Sequence, residues 1–303
     1  MAGPEDAAAD NQDKEGAERN GSFHTDYYAA DSVFVAGLSG ACATMGAMTI
    51  IHAIILGIVE GLTEFLPVSS TGHLILASSL LGIPDSNFLS TFEIAIQLGA
   101  ILAVVVLFWR TILDWTLIKK IIVAFIPTGI IGFTVYPFVK GYLLDNQMVV
   151  LVALLLGGIF LIAFEYWHKE SPAAISNPRD ITYKQALAIG LFQAIAVIPG
   201  VSRSAATIIG GLAVGIRRVA IVEFSFLLAV PTMAAATGLD LLKSYKTISS
   251  ADLGVLVLGA AVAFVVALAV IRFFLDYVRR YTFIPFGVYR ILLALAFFFL
   301  VIK

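Results

Sequence analysis

From residue 48 to the C-terminus the chain is a succession of long apolar runs separated by short polar breaks. A bilayer core takes about 20 apolar residues per spanning helix. Six segments approach that length: 92–109, 120–139, 148–167, 222–239, 254–275 and 283–302. Helices are predicted because they satisfy every backbone group within one segment, which lipid cannot do for them. Two further apolar stretches, 50–82 and 183–216, do not fit this pattern. Each is interrupted near its middle by Pro, Gly and hydroxyl residues, "FLPVSSTGH" (65–73) in one and "IPGVSRSAAT" (198–207) in the other. Proline breaks the helical ladder, and free peptide groups are tolerated at depth only against protein or a wet cavity. Both stretches are therefore predicted to be re-entrant helical hairpins.

The two broken stretches resemble each other. At an offset of 133, "GIVEGLTEFLPVSSTG" (57–72) lies over "GLFQAIAVIPGVSRSA" (190–205), matching Gly57 to Gly190, Glu60 to Gln193 and Ser69 to Ser202. At an offset of 130, "FEIAIQL" (92–98) lies over "VEFSFLL" (222–228), which matches Glu93 to Glu223. Three predicted spans follow each hairpin, so the chain reads as a duplication, 50–167 and 183–302. Charge suggests how the halves are oriented. With the 110–120 connection inside, that side holds Arg110, Lys119, Lys120, Lys169, Arg179, Lys184, Arg217, Arg218, Arg279 and Arg280. The other side holds Lys140, Lys243, Lys246 and Lys303. This satisfies the positive-inside rule if the first hairpin enters from outside and the second from inside. The expected fold is thus an all-α polytopic membrane protein with an inverted-topology repeat, six transmembrane helices and two re-entrant hairpins. Paired interrupted segments in inverted halves mark a central binding site.

Composition agrees. Of 303 residues, 60% are hydrophobic and 13% charged, against about a quarter charged in soluble domains. The net charge of −2 favours no nucleic acid, and Cys42, the one cysteine, excludes an intrachain disulfide or a cysteine metal cage. The first 32 residues differ: eight carboxylates stand against Lys14 and Arg19 with few large apolar side chains. Such a stretch buries too little surface to offset its ordering entropy and is expected to be disordered. Residues 1–47 are read as an acidic extension or leader ahead of one membrane domain, 48–303.

The polar groups in the breaks carry the candidate chemistry. Glu60 and Glu64 are four apart and share a helix face. They are either carboxylates on a wet helix end or, since charge at depth is costly, a divalent-cation site, a general base, or both. Ser69, Ser70 and Thr71 follow Pro67 and precede a new apolar run, as at a helix N-terminus. Their hydroxyls either cap that helix or serve as nucleophile and oxyanion donors, and such N-termini bind phosphate. His73 is either a structural hydrogen-bonder or a proton shuttle. Arg203, flanked by Ser202 and Ser204 with Thr207 one turn on, is either ion-paired with Glu60 or Glu64 or a bidentate phosphate clamp. Gln193 and Glu223 are expected to pack or support. His52 and His168 are expected to be structural or interfacial, and Tyr289 and Arg290 interfacial. Together these groups describe a site for a phosphate on a lipid.

Two long motifs, "EGLTEFLPVSSTGH" (60–73) and "PGVSRSAAT" (199–207), resemble the undecaprenyl-diphosphate phosphatase family, the bacitracin-resistance proteins. "EFSFLLAVP" (223–231) and "FIPFGVYR" (283–290) are also similar to it, so the likeness covers about 49–303; residues 1–47 depart from it. The resemblance implies removal of the terminal phosphate of undecaprenyl diphosphate, giving undecaprenyl phosphate and inorganic phosphate and recycling the cell-wall carrier lipid. It implies a divalent cation (Mg2+ or Ca2+), a bacterial inner-membrane location and a site open to the periplasm or outside. It implies Glu60, Glu64, Ser70, His73 and Arg203 as functional residues. Ser69, Thr71, Ser202, Ser204 and Thr207 are expected to contact substrate, and Glu60 and Glu64 to hold metal. The expected partners are the prenyl diphosphate and membrane lipids, with a homodimer left open. Because inverted repeats with broken helices also build secondary transporters, lipid flipping is the rival reading, either alone or alongside hydrolysis. The Glu-Ser-His cluster favours hydrolysis.

Overall fold

The computed structural model describes residues 48–143, 146–244 and 250–301, so the acidic stretch 1–47 and its expected disorder lie outside the described residues. The first break separates α1 (Ile50–Thr63) from α2 (Ser70–Leu80). Then come α3 (Asn87–Leu107), α4 (Trp115–Tyr142) and α5 (Gln147–Trp167). The second break, opened by a 3-10 turn at Ile195–Val197, separates α6 (Tyr183–Ala194) from α7 (Arg203–Ala213). α8 (Arg218–Ser244), α9 (Ser250–Val278) and α10 (Ile284–Val301) complete the described chain.

Both hairpins start on a capping box, in which a side chain and a backbone N–H at each end satisfy one another. Thr49 and His52 form the first, Thr182 and Gln185 the second. His52 is thus a helix cap, and His168 closes α5 while stacking on Phe164 at 5.0 Å. Helix ends are set by polar caps, and these lie outside the apolar runs. Ser86 caps α3 and Asp114 caps α4 with bonds to Thr116 N and Leu117 N, so α4 begins five residues before the expected span at 120–139.

Among the described residues, five helices are long and apolar enough to cross a membrane: Asn87–Leu107, Trp115–Val135, Gln147–Trp167, Arg218–Leu239 and Asp252–Val278. The sixth expected span, 283–302, is the 18-residue α10, with a shorter apolar stretch at Ile284–Leu300. Leu102, Phe160, Val265 and Leu292 are exposed on these apolar helices, as lipid-facing residues should be.

Small residues allow the helices to approach closely. α9 packs against α1 and α3, α4 against α6 and α8, α3 against α8, and α5 against α10. A Cβ on Gly99 of α3 would lie 2.1 Å from Ala260 O of α9, and one on Gly190 of α6 would lie 2.0 Å from Ala124 O of α4. Between these contacts Phe65, Phe226 and Phe274 are fully buried, with Phe65 and Phe226 edge to face at 5.3 Å.

The connections 108–114, 168–182, 214–217 and 279–283 gather at one end. Arg179 pairs with Asp114 at 2.6 Å, Arg217 donates to Pro172 O at 3.0 Å, and Ile175 pairs with Ile216. Arg218 reaches Glu165 at 3.1 Å and lies over the Phe283 ring at 5.2 Å. Trp109, Trp115 and Trp167 are exposed at this basic end, as in an interfacial aromatic belt.

Candidate active site

The breaks of the two hairpins meet. In the first, α1 closes on Glu64, whose N–H donates to Glu60 O, and the chain turns through Phe65–Val68 before α2 starts at Ser70. Ser69 sits between, with φ 72° and ψ 96°, the one non-glycine residue with positive φ among the described residues. Such a conformation costs roughly 1–3 kcal/mol and persists only where its surroundings hold it. What holds it is His73, whose Nδ1 lies 2.7 Å from Ser69 O. In the second break Gly200 takes φ 88°, and a Cβ there would lie 2.6 Å from Val150 O, so glycine is required on two counts. Ser202 then caps α7 by accepting from Ala205 N at 3.2 Å.

Glu64 is the hub. Ser70 Oγ donates to its Oε2 at 2.6 Å, and Arg203 Nη2 donates to its Oε1 at 3.1 Å. All three side chains are largely removed from solvent. Arg203 Nη1 donates to Ser225 O at 3.0 Å, while its Nε is buried without a partner. One guanidinium nitrogen is therefore left without a partner. Glu60, one turn before Glu64, is fully buried, and neither carboxylate oxygen has a hydrogen-bond partner. Its carboxylate lies in the field of Glu64, Glu93 and Arg203.

The structure thus brings Glu60, Glu64, Ser70, His73 and Arg203 to one place and distributes the remaining candidates around it. Ser204 Oγ donates to Phe65 O at 2.8 Å and Thr207 Oγ1 to Arg203 O at 2.8 Å, both fully buried. Both hydroxyl protons are engaged by protein groups, and Ser204 ties one break to the other. Ser202 is occupied as a cap. Ser69 makes no side-chain cap, and Thr71 stands half-buried on the first turn of α2, so the simple capping role fails for Ser69. Gln193 donates to Thr128 and Thr232 and accepts from Thr207, a packing role as expected.

Sequence position misplaces Arg290 and gives no sign of the hydrogen bond that Tyr289 makes. Tyr289 and Arg290 stand near the start of the last span, which puts them at the interface by expectation. Arg290 is instead buried, donating to Leu154 O, Pro67 O, Ala153 O and Gly200 O at 3.0–3.4 Å. Tyr289 Oη lies 2.7 Å from His73 Nε2. Six residues into a helix is already about 9 Å of depth at 1.5 Å per residue. The available signal was the cost of a charge inside an apolar run, which makes any such residue a candidate for function.

Among the described residues, helices of membrane length close around a buried hydroxyl–carboxylate–guanidinium centre, and the chain is a multi-pass membrane protein with a buried polar site. The chain belongs to the bacitracin resistance protein BacA family, whose profile matches residues 53–296. It is 53% identical over 253 residues to an undecaprenyl-diphosphatase of Bdellovibrio bacteriovorus, covering 82% of this chain and 94% of that protein. It is also 53% identical over 253 residues to an undecaprenyl-diphosphatase of Wolinella succinogenes, covering 83% and 98%. A third relative so named, from Aquifex aeolicus, is 51% identical over 251 residues, covering 82% and 98%.

Proposed function

We propose that this chain is an undecaprenyl-diphosphate phosphatase, cleaving the terminal phosphate to leave undecaprenyl phosphate and inorganic phosphate. The relatives' name supplies the substrate. The observation that carries the chemistry is the short bond from Ser70 Oγ to Glu64, with Arg203 on the far carboxylate oxygen.

Ser70 Oγ attacks the terminal phosphorus and its proton passes to Glu64 Oε2. The bond from phosphorus to the bridging oxygen breaks, and undecaprenyl phosphate leaves with the electron pair. Water then attacks the phosphoserine, its second proton passing to an oxygen of the inorganic phosphate that is released, and Ser70 Oγ departs and recovers its proton from Glu64. Glu64 is preferred to His73 as proton acceptor because Ser70 already donates to it, while both ring nitrogens of His73 are engaged elsewhere. The free Nε of Arg203 and the N–H groups opening α2 and α7 face developing negative charge. The prenyl tail lies among the apolar helices.

A divalent cation, Mg2+ or Ca2+, fits the carboxylates. Among the described residues no three His, Cys, Asp or Glu side chains group as a self-sufficient metal cage. Glu60, however, offers two buried oxygens without partners beside Glu64. These two residues would hold the ion with phosphate oxygens completing its shell, and it would neutralise charge on the diphosphate.

We infer further that α3, α4, α5, α8, α9 and α10 all span the membrane, in two inverted halves. Three observations support this. α2 and α7 have the same length and start 133 residues apart, the capping boxes recur at the same offset, and each hairpin packs on a long helix of the other half. With the basic end inside, the first hairpin opens to the outer face of a bacterial plasma membrane. Purified protein in detergent is the test: phosphate is released from undecaprenyl diphosphate and release falls on chelation. Absence of release with and without chelator sinks the phosphatase reading and favours a transporter.

A further inference from the structure

Both ring nitrogens of His73 are held, from opposite directions. Ser69 O can only accept, so Nδ1 carries the proton in that 2.7 Å contact. In the neutral imidazole Nε2 is then the acceptor, and Tyr289 Oη, 2.7 Å away, donates to it. The two rings are parallel, with 5.5 Å between centroids and 9° between planes. The carbonyl therefore fixes which nitrogen is protonated, and the phenol, donating to the bare one, fixes how the ring is turned.

The far end of this chain of contacts is a strained one. Ser69 keeps its positive φ immediately before Ser70, and its carbonyl is anchored by His73 Nδ1. Ser69 O also accepts from His73 N at 3.4 Å, so turning the imidazole would leave the carbonyl on that longer bond alone, and Ser69 would be freer to relax toward an ordinary conformation. Ser70 would then lose its place against Glu64. An interfacial aromatic would account for a partly exposed tyrosine, yet not for a hydroxyl bonded to a His that is only 8% exposed. Nor would it account for Arg290, the next residue, gripping Pro67 O and Gly200 O in the two breaks.

We propose that Tyr289 is a positioning residue for the hydrolysis, acting through His73 to hold the strained Ser69 carbonyl and so to present Ser70 to Glu64. The proposal rests on the phosphatase reading of the site. Tyr289→Phe removes the hydroxyl and keeps the ring. Its kcat for phosphate release falls about tenfold, within the range expected when a catalytic group is displaced by a fraction of an ångström, and KM stays within a factor of about two. The loss vanishes when the same change is made in a His73→Gln background, because the route is through His73. Imidazole 15N spectra, with the His73 signal assigned by its absence in His73→Gln, show protonated Nδ1 and bare Nε2 in the unsubstituted protein. In Tyr289→Phe Nδ1 stays protonated and the bare Nε2 signal shifts, because that nitrogen has lost its donor.

An unchanged kcat in Tyr289→Phe overturns the proposal. So does an equal loss in the His73→Gln background, or an unaltered His73 spectrum beside a reduced rate. Should Tyr289→Phe fail to fold, the unsubstituted spectrum still decides, because protonated Nε2 contradicts the proposed contact. If the unsubstituted protein releases no phosphate, the phosphatase reading fails on that ground alone, separately from the spectra.

Discussion

Replacing Glu64 by Gln removes the base while keeping the size of the side chain and an oxygen for Arg203. The carboxylate now accepts twice, from Ser70 Oγ at 2.6 Å and from Arg203 Nη2 at 3.1 Å. Glutamine has the same shape but one oxygen and one NH2. Arg203 has only donors to offer, so the amide oxygen must face it. The NH2 then faces Ser70, reversing the bond, and the serine proton has no acceptor. Loss of a positioned base lowers the rate by about 10²–10⁴, or roughly 3–5 kcal/mol on the barrier at about 1.36 kcal/mol per factor of ten. The assay is phosphate release from undecaprenyl diphosphate in detergent, with kcat and KM taken separately. His73→Gln is the control. Because neither nitrogen of His73 meets Ser70, its kcat should fall by no more than about a hundredfold, the cost of misplacing a group by about an ångström. A Glu64→Gln protein that keeps a third of its kcat, or a His73→Gln protein that loses more than Glu64→Gln, refutes the assignment.

Further outcomes follow from the same contacts. Glu60→Gln should raise the cation concentration needed for half-maximal activity at least tenfold, since its oxygens are the ones with no protein partner; an unchanged cation titration removes Glu60 from the ion site. Ser204→Ala leaves Phe65 O without its buried donor and should cost about 1–3 kcal/mol, read as earlier thermal unfolding in detergent; wild-type stability would mean the two breaks are not tied there. Gly190→Ala drives a Cβ into Ala124 O, backbone that cannot move aside, and should destabilise by about 1–3 kcal/mol; a neutral result would show the α4–α6 spacing to be looser than described.

The broken hairpins were legible because Pro, Gly and clustered hydroxyls are costly inside a continuous spanning helix and stand out against an apolar run. Glu64, Ser70, His73 and Arg203 were legible for a related reason, since charge at depth demands a partner. The helix ends were not, because caps such as Ser86 and Asp114 stand outside the apolar runs that define a span. The hydroxyls of Ser204 and Thr207 could not be sorted from those of Ser69 and Ser70 by type. Only packing tells a hydroxyl bound to a neighbouring carbonyl from one left over. Tyr289 and Arg290 were missed because their partners lie more than two hundred residues away, at His73 and Pro67, and spacing along the chain carries no trace of that.

The central claim is that phosphorus is transferred to Ser70 while Glu64 takes the proton. Rapid quenching of turnover with undecaprenyl diphosphate labelled at the terminal phosphorus tests it most directly. Label should be transiently bound to the peptide containing Ser70, with none on His73 and none on the protein in Ser70→Ala. Label on His73, or full-rate release by Ser70→Ala with no labelled protein, would contradict it.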